Sequence, residues 1–127
     1  MIHAGLPIWV CSTPVDMRKG FDSLAGYVRA FLGRDPLTDG MFVFRSRSGH
    51  LLKILWWDRN GLALYYKRLE RGSFRFPACD GQCMTLQPHQ LMQLLEGLQP
   101  VVSSSNPPVA SLSNVPAAHA VTVPTAS

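Results

Sequence analysis

The 127-residue chain has little of what most enzyme classes need. Its eight acidic residues are scattered, with no cluster of the kind that holds divalent metal and activates water in a nuclease. Asp16, Asp22, Asp58 and Glu70 are expected as caps, turn residues and ion-pair partners. There is no glycine-rich phosphate loop and no Ser-His-Asp arrangement. Cysteines number three, an odd count that suits a reducing compartment better than a disulfide framework. Cys79, Cys83 and His89, with Cys11 or His50 as a fourth group, offer one incomplete ligand pair for zinc, so loose thiols, no metal and no other cofactor are expected. No run approaches the roughly 18 uninterrupted apolar residues of a membrane span. The opening MIHAGLPIWVCSTP lacks a charged stretch followed by a long apolar core, so we expect a cytoplasmic protein with no secretory signal and no membrane partner. Residues 99–127 carry no charged or aromatic side chain and are rich in Ser, Pro, Ala and Val. Such a segment buries too little apolar surface to offset its ordering entropy. The composition thus predicts one domain over residues 1–98 and a disordered tail over 99–127.

What is present is concentrated between Met41 and Pro77. Apolar and aromatic runs at Met41 to Arg45, Leu51 to Trp57, Leu62 to Leu69 and Ser73 to Pro77 are separated by Ser46-Arg47-Ser48-Gly49 and Asp58-Arg59-Asn60-Gly61, both ending in glycine, so they read as strands of a meander. Ile8 to Cys11 and Cys83 to Leu86 add shorter strands. Thr13 as cap and Pro14 at the first helical position open a helix reaching Leu32, with Met17, Phe21, Leu24, Val28 and Phe31 as its apolar stripe. Pro88 opens a second, striped by Leu91, Leu94, Leu95 and Leu98. The predicted fold class is α+β: a small antiparallel sheet of about five strands, with one or two helices on its apolar face and a partly cationic face opposite.

Charge is just as concentrated. The segment from Met41 to Pro77 holds eight Lys or Arg against Asp58 and Glu70, so it carries the whole excess of the chain, whose formal net charge is +4. Arg45, Arg47, Lys53, Lys67, Arg68, Arg71 and Arg75 form a candidate binding patch interleaved with Trp56, Trp57, Tyr65 and Tyr66. Cations neutralise phosphates and exposed aromatics stack on bases, which suits nucleic acid. Against this stands the ordinary fate of such aromatics, which is the core. Arg18 and Lys19, in the run Asp16-Met17-Arg18-Lys19-Gly20-Phe21-Asp22, are placed at the helix start, where they face a phosphate or remain solvated and paired with Asp22.

That run, together with Phe42-Val43-Phe44-Arg45, Lys53-Ile54-Leu55-Trp56-Trp57-Asp58, Gly61-Leu62, Tyr66-Lys67-Arg68-Leu69-Glu70-Arg71-Gly72 and Phe74, resembles the TnpB accessory protein of insertion sequence family sixty-six, the small second reading frame of a bacterial mobile element. The resemblance covers Pro7 to Gly97 and departs from the family pattern at Ser23, Cys79 and Cys83. It implies an accessory role in DNA transposition beside the element's separate transposase, without an established chemical activity of its own, so a non-catalytic protein is expected. Two further possibilities stay open: a protein-interaction module that docks on the transposase without touching DNA, and a cryptic metal-dependent nuclease.

Overall fold

The strand β2 (Met41–Arg45) explains the layers around it. Met41 and Val43 point to one side of the sheet, Phe42 and Phe44 to the other, and all four are fully buried. A strand buried on both sides needs cover on both. The structure, a computed structural model describing residues 5–79 and 81–100, supplies that cover with a helix on each face. The tail expected over 99–127 lies outside the described residues from 101 onward.

The five strands are β1 (Ile8–Cys11), β2, β3 (Leu51–Asp58), β4 (Gly61–Arg68) and β5 (Cys83–Leu86), in the spatial order β4-β3-β2-β1-β5. β2, β3 and β4 form the expected meander. The α+β class is borne out, with two refinements. First, β1 runs parallel to β2, with Ile8 beside Met41 and Val10 beside Val43, so the sheet is mixed. The helix between them carries the chain back to the starting end, which a parallel neighbour requires. Second, the helices take opposite faces. α1 (Phe21–Tyr27), continued by a π-helical turn over Val28–Leu32, packs Leu24, Ala25, Val28 and Leu32 against Trp9, Phe42, Phe44 and Leu55. α2 (Pro88–Leu95) packs Leu91, Leu94 and Leu95 against Ile8, Val43, Ile54 and Leu86.

Several expected boundaries move for identifiable reasons. The first helix starts at Phe21 rather than Pro14, because Asp16 closes a turn. Its carboxylate accepts the Arg18 N–H at 2.9 Å and its carbonyl the Lys19 N–H at 3.1 Å. Phe21 and Phe31 leave the predicted stripe and stand exposed, and Phe31 lies against Tyr27 with ring centroids 4.9 Å apart. Leu98, past the end of α2, is also exposed. Ser73 to Pro77 is not a strand. Phe74 anchors it by burial and by donating its N–H to Gly49 O at 2.8 Å, while Pro77 has no N–H for a ladder. In the β3–β4 hairpin Asp58 faces Gly61, so the turn is Arg59-Asn60, and Arg59 adopts φ 59°. Gly40, at φ 128°, lies where β2 begins beside Pro7, and a Cβ there would collide with the Pro7 carbonyl oxygen.

Candidate nucleic-acid interface

At one end of the sheet, where β1 and β2 finish and β3 starts, three connecting segments are stitched together. The Ser46–His50 turn folds on the Ser46 side chain, whose Oγ accepts the N–H groups of Gly49 and Leu51, each at 3.1 Å. Val15 N–H donates to Arg45 O at 3.0 Å, drawing the 12–20 segment to it. Leu69 N–H donates to His50 O at 2.9 Å, and His50 Nδ1 sits 2.7 Å from Gly72 O, which brings in the segment after β4. Cations are dense here because the turn, the end of β4 and the segment behind it each bring their own.

The expected cations do not share one face. Alternation sends Arg45 and Lys67 to the α2 side and Lys53 and Arg68 to the α1 side, as the pairings Arg45 with Leu52 and Lys53 with Phe44 and Tyr66 require. The central strands are covered on both faces, so a cation there is used internally, whereas the outer edge of the β3–β4 hairpin and the ends of the sheet reach solvent.

Three of them are used internally. Lys53, 6% exposed, donates from Nζ to Met17 O at 2.8 Å and Lys19 O at 2.7 Å, with the Tyr66 ring centroid 4.5 Å away. A buried ammonium needs such acceptors, and here it fastens the turn that precedes α1. Lys67 Nζ donates to Leu95 O at 2.8 Å and so caps the C-terminal end of α2. Arg45, half-buried, donates from Nε and Nη2 to Ser12 O at 3.2 and 2.8 Å, and its guanidinium lies 5.8 Å from the Phe76 ring centroid. Lys53 is therefore buried in a structural tie rather than presented at the surface, and Lys67 is half-buried with its ammonium on the end of α2. Lys19 gives its carbonyl to Lys53 and keeps a half-exposed side chain in the turn rather than on a helix.

The others reach solvent. Arg18 forms a fork with Asp16, the shortest contact being 2.7 Å, and this hydrogen bonding pulls the Asp16 carboxyl down to about 2 from its usual 3.8. Arg68 meets Glu70 at 3.1 Å. Arg47, Arg71 and Arg75 are exposed and form no ion pair among the described residues. Two clefts open among these groups. One, of about 440 Å³, runs between Pro14–Met17 and Ser46–Ser48 and includes Arg47. The larger, of about 620 Å³, lies between Arg45 and the Ser73–Cys79 segment and includes Arg75. Phe76, Ser73 and Ser12 line it, and sequence reasoning did not select them; the alternation of Arg75 and Phe76 was the available signal.

Among the described residues no three His, Cys, Asp or Glu gather in a metal-holding group. Cys11 and Cys83 face each other in register across β1 and β5. Burial raises the Cys11 thiol and pushes Cys83 up to about 12, which disfavours the thiolate a ligand or nucleophile needs. Asp16 stands at the cationic end, whereas Asp58 closes β3 at the other, a strand of eight residues away. No helix among the described residues is long and apolar enough to cross a membrane.

Two helices clasping a mixed sheet, with basic loops at one end, define a small α+β protein whose distinguishing chemistry is cationic. The family model described as IS66 Orf2 like protein matches residues 6–104, so the chain belongs to the family of insertion-sequence-associated accessory proteins that its motifs pointed to. It is 45% identical over 91 residues to y4hO of Sinorhizobium fredii, described as an uncharacterized protein, covering 72% of this chain and 79% of that one. It is 36% identical over 94 residues to y4jC of the same organism, also described as uncharacterized, covering 74% and 80%. No solved structure matches it.

Proposed function

We propose that this protein is a cytoplasmic, non-catalytic accessory factor in the transposition of a bacterial insertion sequence, and that it contacts nucleic acid through the cationic end of its sheet. The observation that supports this most is the placement of Arg47 and Arg71 on neighbouring, cross-linked loops, exposed and unneutralised, with Arg75 on the segment that follows. Contact of this kind is mainly to phosphate, so it weakens steeply as salt rises. Element-end DNA should be retarded by the protein at low salt, and charge reversal at Arg47, Arg71 and Arg75 should abolish the retardation. Undiminished retardation by that variant would remove the interface. The separation of Asp16 from Asp58 argues against a shared metal site, and cutting of DNA with magnesium or manganese would refute the non-catalytic role.

A second role has its own support. Tyr66 and Trp57 are exposed at 53% and 39% on the α1 side of the β3–β4 hairpin, where aromatics of this size suit a protein partner such as the element's transposase. Co-purification of the transposase that survives nuclease treatment would favour direct docking. Loss of the partner on digestion would leave DNA as the bridge.

A further inference from the structure

We propose that the cleft between Arg45 and the Ser73–Cys79 segment takes one unpaired nucleotide, making single-stranded DNA the preferred form bound at the cationic end; this rests on the nucleic-acid role above and specifies it. The volume, about 620 Å³, falls within the range of roughly 300–1,000 Å³ that holds small organic groups. A base inside a duplex cannot leave its stack to enter a cleft without the cost of unpairing, whereas a single strand offers its bases freely.

The lining has the parts such a guest needs. Arg45 is fixed before any ligand arrives, since two of its donors are committed to Ser12 O. A guanidinium has five N–H groups, so three remain for a phosphate or a base edge. Its flat face is also a platform on which bases stack, and the Phe76 ring lies beside it, 5.8 Å away by centroid. Arg75, exposed at the mouth, supplies charge for the backbone, and the Ser73 hydroxyl adds a neutral donor, while the Ser12 hydroxyl, which donates to Gly81 O and Gln82 O at 3.0 Å, helps to hold the cleft wall. Lys53 and Lys67 lie elsewhere, tied to Met17, Lys19 and Leu95.

Cys79 gives a direct test, because it lines the cleft and is half-exposed while Cys11 and Cys83 are buried. The full chain is alkylated at Cys79 with a maleimide, its folding is checked by thermal melting, and anisotropy is read with a labelled single strand and the same sequence as duplex. Unmodified protein should prefer the single strand. Alkylation should weaken single-strand affinity by roughly tenfold, the worth of one stacked base, and leave duplex affinity within about twofold. Cys79→Ala treated with the same reagent should keep the preference, and Arg75→Gln should reduce it without alkylation. Equal affinity for both forms, or an alkylated, folded protein that keeps its preference or loses both forms alike, overturns the cleft assignment. Duplex binding abolished by reversal of Arg47 and Arg71 would still uphold the wider role. Binding of neither form by the unmodified protein overturns both.

Discussion

Lys53 and Arg47 lie six positions apart and carry the same charge, yet the centre of the sheet and its end treat them oppositely. At the centre, helices cover both faces, and the Lys53 ammonium is enclosed by two carbonyls and a Tyr ring. At the end, the turn holding Arg47 borders an open cleft facing Pro14–Met17, and the residue is exposed. A count of charge along a segment therefore measures a total, not a surface. Position within or beyond the covered part of a strand decides which cations meet a partner.

The strongest way to break the contrast is at the buried member. Lys53→Ala should destabilise the fold by about 3 kcal/mol, since hydrogen bonds from a charged donor contribute roughly 1.5–3 kcal/mol each and two carbonyls lose theirs. Lys53→Met, which keeps the stem, should cost less. Urea unfolding reads both, and amide exchange should quicken at Met17 to Lys19. Arg47→Ala should change stability by no more than about 0.5 kcal/mol, as surface substitutions do. Equal stability losses at the two sites would erase the distinction.

Next in size is Lys67→Ala, which removes a donor from the end of α2 and should cost about 1–2 kcal/mol. The helix should fray at Leu94 and Leu95 in amide exchange. Arg59 sharpens the comparison from the far end of the sheet. It is exposed but held at φ 59°, where a side chain costs roughly 1–2 kcal/mol, so Arg59→Gly should raise stability by about 1 kcal/mol and leave DNA affinity unchanged. A fall in affinity would extend the interface to both ends.

The smallest effect is a titration. The Asp16 carboxyl is drawn down by the Arg18 hydrogen bonds and charge. A depressed folded-state value gives stability that is present above the unfolded value of 3.8 and lost as pH falls through about 2. Carbon-detected NMR should place the Asp16 midpoint near 2, and a midpoint at 3.8 would mean that the fork is open in solution.

Sequence pattern alone located β1, β2 and β5 at their observed limits and the start of α2 at Pro88, because each is a short apolar run or a proline beside clear punctuation. The family motifs were equally legible. What escaped was non-local. Nothing in Asp16 to Lys19 announces that a lysine of β3 will grip its carbonyls and delay the helix to Phe21, although a lone cation inside LLKILWW was a sign that internal acceptors would be needed. The parallel β1–β2 pair is implicit in the strand, helix, strand order, whereas the glycine-ended turns specify only the antiparallel pairs. Alternation within a strand shows two sides and so points to a cationic face; the helix on each side covers the central strands and leaves only the ends and the hairpin edge open.

The central distinction meets its most direct test in DNA affinity and thermal stability measured on the same two variants. Charge reversal at Arg47, Arg71 and Arg75 should abolish retention of element-end DNA at low salt while the melting temperature stays near that of the unaltered protein. Lys53→Met should melt earlier and, below its transition, hold DNA as the unaltered protein does. The opposite assignment, with DNA lost on altering Lys53 and kept after reversal of the three arginines, would contradict the account.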